Sequence, residues 1–317
     1  MGKKIFVALS TFAEYGREPL WLLDRSGIGY SMNRLGRRLI REEIVDLGKG
    51  AAGIIAGVEP YDAPVLERLP ELKCISRCGV GVDNIDLDLA QKRNIVIRNT
   101  PDVVVRPVVE LTIAMIFDLM RKLSLHTCRM WRREWKKTAG NLLAGKTVGI
   151  LGLGRIGRNV SETLVKLDAK VIGTDIHPDN AWAEKNGVRV VSLNELLVKS
   201  DILSLHLSVL PQNPFVLGRE EIALMKEGAW MVNVSRGNFV DETVLFDALK
   251  SGRLAGAAMD VFPEEPYTGP LCNLDNVIMT PHVATLTKES RMQMETEAVQ
   301  NLLETLSTHS SMRISTE

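Results

Sequence analysis

The sequence predicts an α/β protein built as two domains, and three observations carry that prediction. Short apolar runs alternate with amphipathic ones along nearly all of its 317 residues. The apolar runs form two series, separated by a helical stretch near 105–130 and then the polar segment RREWKKTAGN. At the head of the second series stands GNLLAGKTVGILGLGRIG, residues 140–157, in which two phosphate-binding patterns lie nose to tail.

The strand-like runs are short and rich in β-branched residues. The first series is KIFVALS (4–10), GIIAG (53–57), LKCISRC (72–78) and IVIRNT (95–100). The second is TVGILGL (147–153), KVIGTD (170–175), DILSLHL (201–207), AWMVNVS (229–235), LAGAAMD (254–260) and NVIMTP (276–281). Helical patterns fill most of the gaps, as in ETVLFDALKSG, where Gly252 suits a C-cap. The helical stretch near 105–130, with the polar segment at 132–141 after it, reads as the joint between domains. From Thr287 to Thr305 the pattern is that of an amphipathic packing helix, with Ala298, Leu302 and Leu306 on one face.

Composition narrows the function classes. Lys+Arg and Asp+Glu both number 39, so the formal net charge is zero and there is no overall attraction to nucleic acid. RMWRREWKK (129–137) interleaves aromatic and basic residues, but Glu134 interrupts the charge, and packing at a joint or dimer contact is the expectation. The apolar run Ile5–Leu9 is too short for a signal-peptide core, and Phe6 stands where a myristoylation motif needs Ser or Thr. No run approaches the roughly 20 apolar residues of a membrane span. Cys74 and Cys78 share one strand-like run, which separates their Cα atoms by about 13 Å, beyond disulfide reach. They also lack partners at zinc-site spacing. Four reduced thiols, no metal and a cytoplasmic location are therefore expected.

The overlapping phosphate patterns can be separated by their surroundings. A P-loop follows a strand and opens a helix. Gly140-x-x-x-x-Gly145-Lys146-Thr147 instead follows polar, basic residues and precedes a strand-like run, so it is a chance match. Gly152-x-Gly154-x-x-Gly157 has the right context, with TVGIL before it and helical spacing from Arg155 onward. Gly152 permits a tight turn, Gly154 lets the backbone approach a pyrophosphate, and Gly157 lets helix and strand pack closely. The amides of Arg155 and Ile156 would face the phosphates from a helix N-terminus. KVIGTD then ends at Asp175, 18 residues past Gly157. A carboxylate there accepts hydrogen bonds from an adenosine ribose and repels a 2′-phosphate. Ile176, His177 and Pro178 follow, with no arginine among them, so the expected cofactor is NAD(H).

Three polar residues near strand ends suit hydride chemistry at a hydroxyl-bearing carbon. They are Arg236 in NVSRG, Glu265 in DVFPEEP and His282 in TPHVAT. Histidine titrates in the range a proton acceptor needs, a carboxylate beside it steadies the imidazolium, and arginine binds carboxylates while polarising a carbonyl. Taken singly, each also has a structural reading. Together they fit a 2-hydroxy acid.

RCGVGVDNIDL (77–87), TVGILGLGRIG (147–157), MVNVSRGNFVDE (231–242), AAMDVFPEEP (257–266) and TPHVAT (280–285) occur in order. With these five motifs in register, the chain resembles the D-isomer-specific 2-hydroxyacid dehydrogenase family, most closely its short phosphoglycerate dehydrogenases. The resemblance implies two Rossmann-like domains with parallel sheets and an active site in the cleft between them. Residues 1–99 with 284–317 would be the substrate domain and 100–283 the NAD domain, connected by the helix containing Glu110. It further implies that Arg236 binds and polarises the substrate, that His282 is the acid/base and that Glu265 pairs with it. Backbone amides at Val80 and Gly81 would hold the substrate carboxylate. Asp260 would contact the nicotinamide end of the coenzyme, and Leu207 and Val234 would line its site. A homodimer is implied as well, with no nucleic-acid or membrane partner.

The match has departures. Val104 and Pro107 stand where the family usually has Asn and Ser, and Ser208 and Leu210 where Pro and Thr are common. Glu265 sets the chain apart from the family's formate dehydrogenases, and Val80 from its phosphite dehydrogenases, which carry lysine there. An NAD(H)-sensing corepressor-like binding protein would keep the same three polar residues, though such proteins generally carry extra tails. The family's longer phosphoglycerate dehydrogenases carry C-terminal regulatory domains, and serine feedback through such a domain is not expected here. Arg34, Arg37 and Arg38 in MNRLGRRL (32–39) suit the phosphate of 3-phosphoglycerate or form a solvated turn. A hydroxypyruvate or glyoxylate reductase is the alternative enzyme. Fluorescence titration is expected to show tighter binding of NADH than of NADPH; the reverse order would remove the Asp175 assignment.

Overall fold

The computed structural model describes residues 4–209 and 215–311, with side chains described as far as Thr308. The chain divides into two compact units, Met1–Val104 with Leu286–Glu317, and Val105–Thr285.

The first unit is built on strands β1 (Lys4–Val7), β2 (Gly29–Met32), β3 (Gly53–Ala56), β4 (Cys74–Arg77) and β5 (Val96–Arg98). They pair in parallel in the order β2-β1-β3-β4-β5. A parallel sheet is covered on both faces, which is why its central strands read as unbroken apolar runs. Alternate residues then serve opposite cores. Phe6, Ile54 and Ile75 point into one cluster, whereas Ile5, Val7, Ile55 and Cys74 enter the other. The second cluster is closed by the helix Lys288–Ser311, which contributes Met294, Ala298, Val299, Leu302 and Leu306. Burial without a partner charge close enough to compensate pushes the Cys74 thiol up to about 11 and that of Cys78 to about 12.

The second unit holds seven parallel strands: β6 (Thr147–Leu151), β7 (Lys170–Thr174), β8 (Val188–Val190), β9 (Ile202–Leu205), β10 (Ala229–Asn233), β11 (Leu254–Met259) and β12 (Val277–Met279). Their order is β12-β11-β10-β9-β6-β7-β8. From β6 the chain proceeds outward through β7 and β8, and from β9 it proceeds the other way. The strand order therefore reverses between β6 and β9, and the crevice at their carboxyl ends is where such sheets receive ligands.

Two strands escape the sequence pattern. β2 (GYSM) and β8 (VRV) are edge strands with half-exposed residues, and so lack the apolar continuity that marks the others. Of the stretch expected to hold the joint, the units divide at its start, between Val104 and Val105, and the segment 132–141 falls inside the second unit. The helix before it, Val105–Arg121, packs Met115, Ile116 and Met120 against Val148, Ile150, Ile202 and Val232 of the second sheet. The polarity of 132–141 reflects solvent exposure and not a boundary; Trp131 and Trp135 are 79% and 81% exposed. The helix also explains one departure. Pro107 sits in its first turn, where the missing N–H would have had no intrahelical acceptor. Val104 is buried, Ser208 is exposed, and Leu210 lies outside the described residues. Among the described residues no helix is long and apolar enough to cross a membrane.

The closing helix lies directly on the backbone of β3: a Cβ on Gly53 would stand 2.7 Å from Leu302 Cδ1. Leu302→Ala is expected to cost about 2–5 kcal/mol. Gly53→Ala should destabilise the unaltered chain and cost less in the Leu302→Ala background. Urea denaturation of the four proteins reads that coupling, and additive effects would refute the contact.

Candidate active site

The glycine loop follows β6 directly. Gly152 has φ +97°, and a Cβ there would lie 2.6 Å from the His206 carbonyl oxygen, so both conformation and space require glycine. Gly154 caps the 12-residue helix Arg155–Lys166 and has open space where a side chain would stand. A Cβ on Gly157 would collide with the Gly152 carbonyl, which is the close helix–strand approach expected from the pattern. Asp175, just past β7, reaches across to this loop. Its Oδ2 accepts from the Leu153 amide at 2.7 Å and its Oδ1 from the His177 amide at 2.9 Å. Each oxygen retains a further lone pair. The first-turn amides of the helix and the open cradle at Gly154 fit a pyrophosphate, and Asp175 fits the ribose beside it.

His206, which no sequence motif singles out, follows β9 directly. Its Nε2 lies 2.9 Å from Ser204 Oγ, while Nδ1 is buried without a partner among the described residues. Burial drives this imidazole down to about 3, so it is neutral. Leu207 follows, half-buried against the second unit's core, and Val234 is buried at the end of β10.

Arg236 owes its position to Asn233, which is fully buried at the end of β10. Asn233 Oδ1 accepts from the Ser235 amide at 3.0 Å and from Ser235 Oγ at 2.8 Å, and its Nδ2 donates to the Arg236 carbonyl at 2.8 Å. Three hydrogen bonds from one amide thus fold the four-residue turn. Arg236 Nη1 donates to the Ser235 carbonyl at 2.7 Å. Gly237 lies against the backbone of Phe262 and Pro263, where a Cβ would collide, and this contact abuts the run that leads to Glu265.

Glu265 and His282 come together across 17 residues, with His282 Nδ1 2.9 Å from Glu265 Oε2. The other carboxylate oxygen accepts from the Phe262 amide at 3.2 Å. An ionised carboxylate only accepts, so Nδ1 carries the proton and Nε2 is left for chemistry. Nε2 has no partner among the described residues. The side chains are 40% and 34% exposed, which limits what the pair adds to stability; its effect is orientation.

His282 has φ +54°, uncommon for a residue with a side chain. Asp260 holds it there. This fully buried carboxylate accepts from Thr280 Oγ1 at 2.5 Å, the Val283 amide at 2.8 Å and the Ala284 amide at 2.9 Å. In this structure its oxygens are engaged by the 280–284 loop, a role the sequence did not disclose.

The first unit carries the loop after β4. Its carbonyls are taken: Cys78 by Arg77 Nη1, Gly79 by the Thr100 amide at 3.0 Å, and Val80 by Asn99 Nδ2 at 2.9 Å. The Gly79 amide donates to Thr100 Oγ1 at 2.9 Å. The amides of Val80 and Gly81 have no partner among the described residues, so the loop offers two adjacent donors of the kind that bind anions. Of the arginines in 32–39, Arg37 is held by Glu43 at 2.6 Å and Arg38 donates to the Val58 carbonyl at 2.5 Å, whereas Arg34 is exposed.

Residues 113–284 match the family model described as "D-isomer specific 2-hydroxyacid dehydrogenase, NAD binding domain". A D-3-phosphoglycerate dehydrogenase of Methanocaldococcus jannaschii is 40% identical over 80% of this chain and 49% of its own length. The chain thus spans about half the length of the phosphoglycerate dehydrogenases it matches. A glyoxylate reductase of Thermofilum pendens is 36% identical over 78% of this chain and 76% of its own. Among solved structures, the D-lactate dehydrogenase of Aquifex aeolicus complexed with NAD and lactic acid superimposes with a TM-score of 0.84. That pair is 26% identical, covering 98% of this chain and 97% of the other.

The neutral His206 gives a pH signature. Its pKa is depressed by folding, so its contribution is full above the unfolded value near 6.5 and declines as pH falls toward 3. His206→Asn should therefore lose less stability than the unaltered protein between pH 7 and pH 5 in urea melts. Equal losses would show that folding does not shift this imidazole.

Proposed function

Because the chain belongs to the D-isomer specific 2-hydroxyacid dehydrogenase family, we propose that it interconverts D-2-hydroxy acids and 2-oxo acids with NAD(H). The observation that carries this reading is the His282–Glu265 pair, with Nε2 left free and Arg236 on the neighbouring turn. When bound, NAD supplies the hydride acceptor and NADH the donor. In the reductive direction His282 delivers its Nε2 proton to the oxygen on C2; in the oxidative direction it takes that proton away. Glu265 accepts from Nδ1 and steadies the imidazolium. Arg236 sets a positive charge against the C2 oxygen, where negative charge develops. The amides of Val80 and Gly81 hold the substrate carboxylate.

The coenzyme is held by Gly152, Gly154, Gly157 and the amides of Arg155 and Ile156 at its phosphates, and by Asp175 at the ribose. Leu207 and Val234 supply apolar surface, and Asp260 serves the nicotinamide end through the loop it holds. Residues 1–99 with 284–317 act as the substrate domain and 100–283 as the coenzyme domain. A homodimer is supported by the exposed Leu123, Met130, Trp131, Trp135 and Leu142, an apolar group that a second copy would cover. The four free cysteines suit the reducing cytoplasm.

The first substrate to consider is 3-phosphoglycerate, the acid acted on by several relatives. A second reading, hydroxypyruvate or glyoxylate, is favoured by the engagement of Arg37 with Glu43 and of Arg38 with Val58, which leaves Arg34 as the arginine available to a phosphate.

NADH consumption with phosphohydroxypyruvate and hydroxypyruvate, measured side by side, tests both. A phosphate clamp should raise kcat/KM for the phosphorylated acid by about 10- to 100-fold, from the worth of a charge-assisted hydrogen bond. A preference for hydroxypyruvate would select the second reading. On whichever acid turns over, His282→Ala should lower kcat by about 100- to 10,000-fold and leave NADH affinity unchanged. Near-normal turnover would remove His282 from its role.

A further inference from the structure

The two free amides of the 78–81 loop are aimed by their own peptide planes. In a trans peptide the C=O and the following N–H point in opposite directions, because the unit is planar and stiff. The Val80 amide belongs to the same plane as the Gly79 carbonyl, and the Gly81 amide to the same plane as the Val80 carbonyl. Pinning each carbonyl therefore aims the amide opposite it. The Gly79 carbonyl is pinned by a backbone donor, Thr100 N–H. The Val80 carbonyl is pinned by a side chain, Asn99 Nδ2, at 2.9 Å.

Asn99 is itself anchored. It follows β5, the edge strand that pairs with β4, and its backbone carbonyl accepts from Asn301 Nδ2 at 3.2 Å. Asn301 lies in the closing helix, 202 residues away in sequence. The plane that points the Gly81 amide outward is thus fixed by a short chain of two asparagines, and glycine at 81 has no side chain to resist rotation if that chain is cut.

We infer that Asn99 is a positioning residue for substrate binding: by donating to the Val80 carbonyl it keeps the Gly81 amide turned outward as the second donor to the acid's carboxylate. The inference rests on the proposed role of the Val80 and Gly81 amides. It touches neither the coenzyme nor the proton transfer, since Asn99 contacts no residue assigned to either. Aspartate at 99 would do more harm than alanine, because a carboxylate cannot donate to a carbonyl and would face the incoming anion with like charge.

The test uses the full chain saturated with NADH. Asn99→Ala should raise KM for the accepted 2-oxo acid by about 10-fold or more, the loss expected for one hydrogen bond to a charged group. Asn99→Asp should raise it further. Both variants should keep kcat within a few-fold, and NADH affinity and thermal midpoint should stay unchanged. KM, NADH affinity and midpoint moving together would reduce Asn99 to a structural residue and overturn the inference, as would an unchanged KM. Should the unaltered protein turn over no 2-oxo acid, the failure lies with the proposed activity, and oxalate titrated calorimetrically into the NADH-loaded protein replaces KM. Weaker oxalate binding by Asn99→Ala then supports the inference. Equal affinities, or no oxalate binding by the unaltered protein, overturn it.

Discussion

The meeting of His282 and Glu265 in the second unit depends on one buried carboxylate. Asp260 closes the end of β11, and its oxygens gather three donors from the segment that follows β12. Without those acceptors the buried amide of Ala284 would be unpaired, at a cost of about 1–3 kcal/mol, and the half-buried Val283 amide and Thr280 hydroxyl would lose their partners. The same bonds hold His282 in a left-handed conformation that a side chain does not adopt readily. Glu265 then meets an imidazole already turned toward it. The local strain at His282 is thus sustained by a network that lies beneath the imidazole and does not touch it.

A shared logic runs through the other sites. Asn233 folds the turn that bears Arg236, Asp175 gathers the amides of Leu153 and His177, and Asn99 with Thr100 takes the carbonyls of the 78–81 loop. In each case a short polar side chain at a strand's carboxyl end satisfies backbone groups that the sheet has ceased to pair. The strand ends are where the ladder stops, so they are where such brackets are needed. They are also where a ligand finds backbone donors left over.

How much of this was legible in the sequence follows from how local each feature is. The glycine loop and Asp175 could be read directly, because strand, turn and helix occur within some thirty residues and each glycine has its own steric reason. Arg236, Glu265 and His282 could be picked out by residue type and strand-end position, but their roles needed motif resemblance, since the meeting of Glu265 and His282 is made by parallel pairing of β11 and β12. The brackets were not legible: a buried Asn or Thr has the same letter as an exposed one, and its partners are backbone atoms. Edge strands β2 and β8 were missed because half-exposed strands have no continuous apolar run. The units divide at 104–105, a few residues past the 99–100 division that the resemblance implied, because a helix belongs to whichever core it packs on, and Val105–Arg121 packs on the second sheet.

The closing helix makes the first unit discontinuous in the chain. Ile5, Val7, Ile55 and Cys74 precede Val105 in the chain, but Met294, Ala298, Val299, Leu302 and Leu306, which complete their cover, lie beyond residue 286. Between them stands the whole of Val105–Thr285, which takes about 10–40 s to translate at typical rates. During that interval one face of the first sheet has only the partial cover of Leu23, Val103 and Val104, while the second unit already holds everything its own core requires. Order of synthesis and order of completion are therefore inverted: the unit whose first strand is made earlier is the later of the two to become whole.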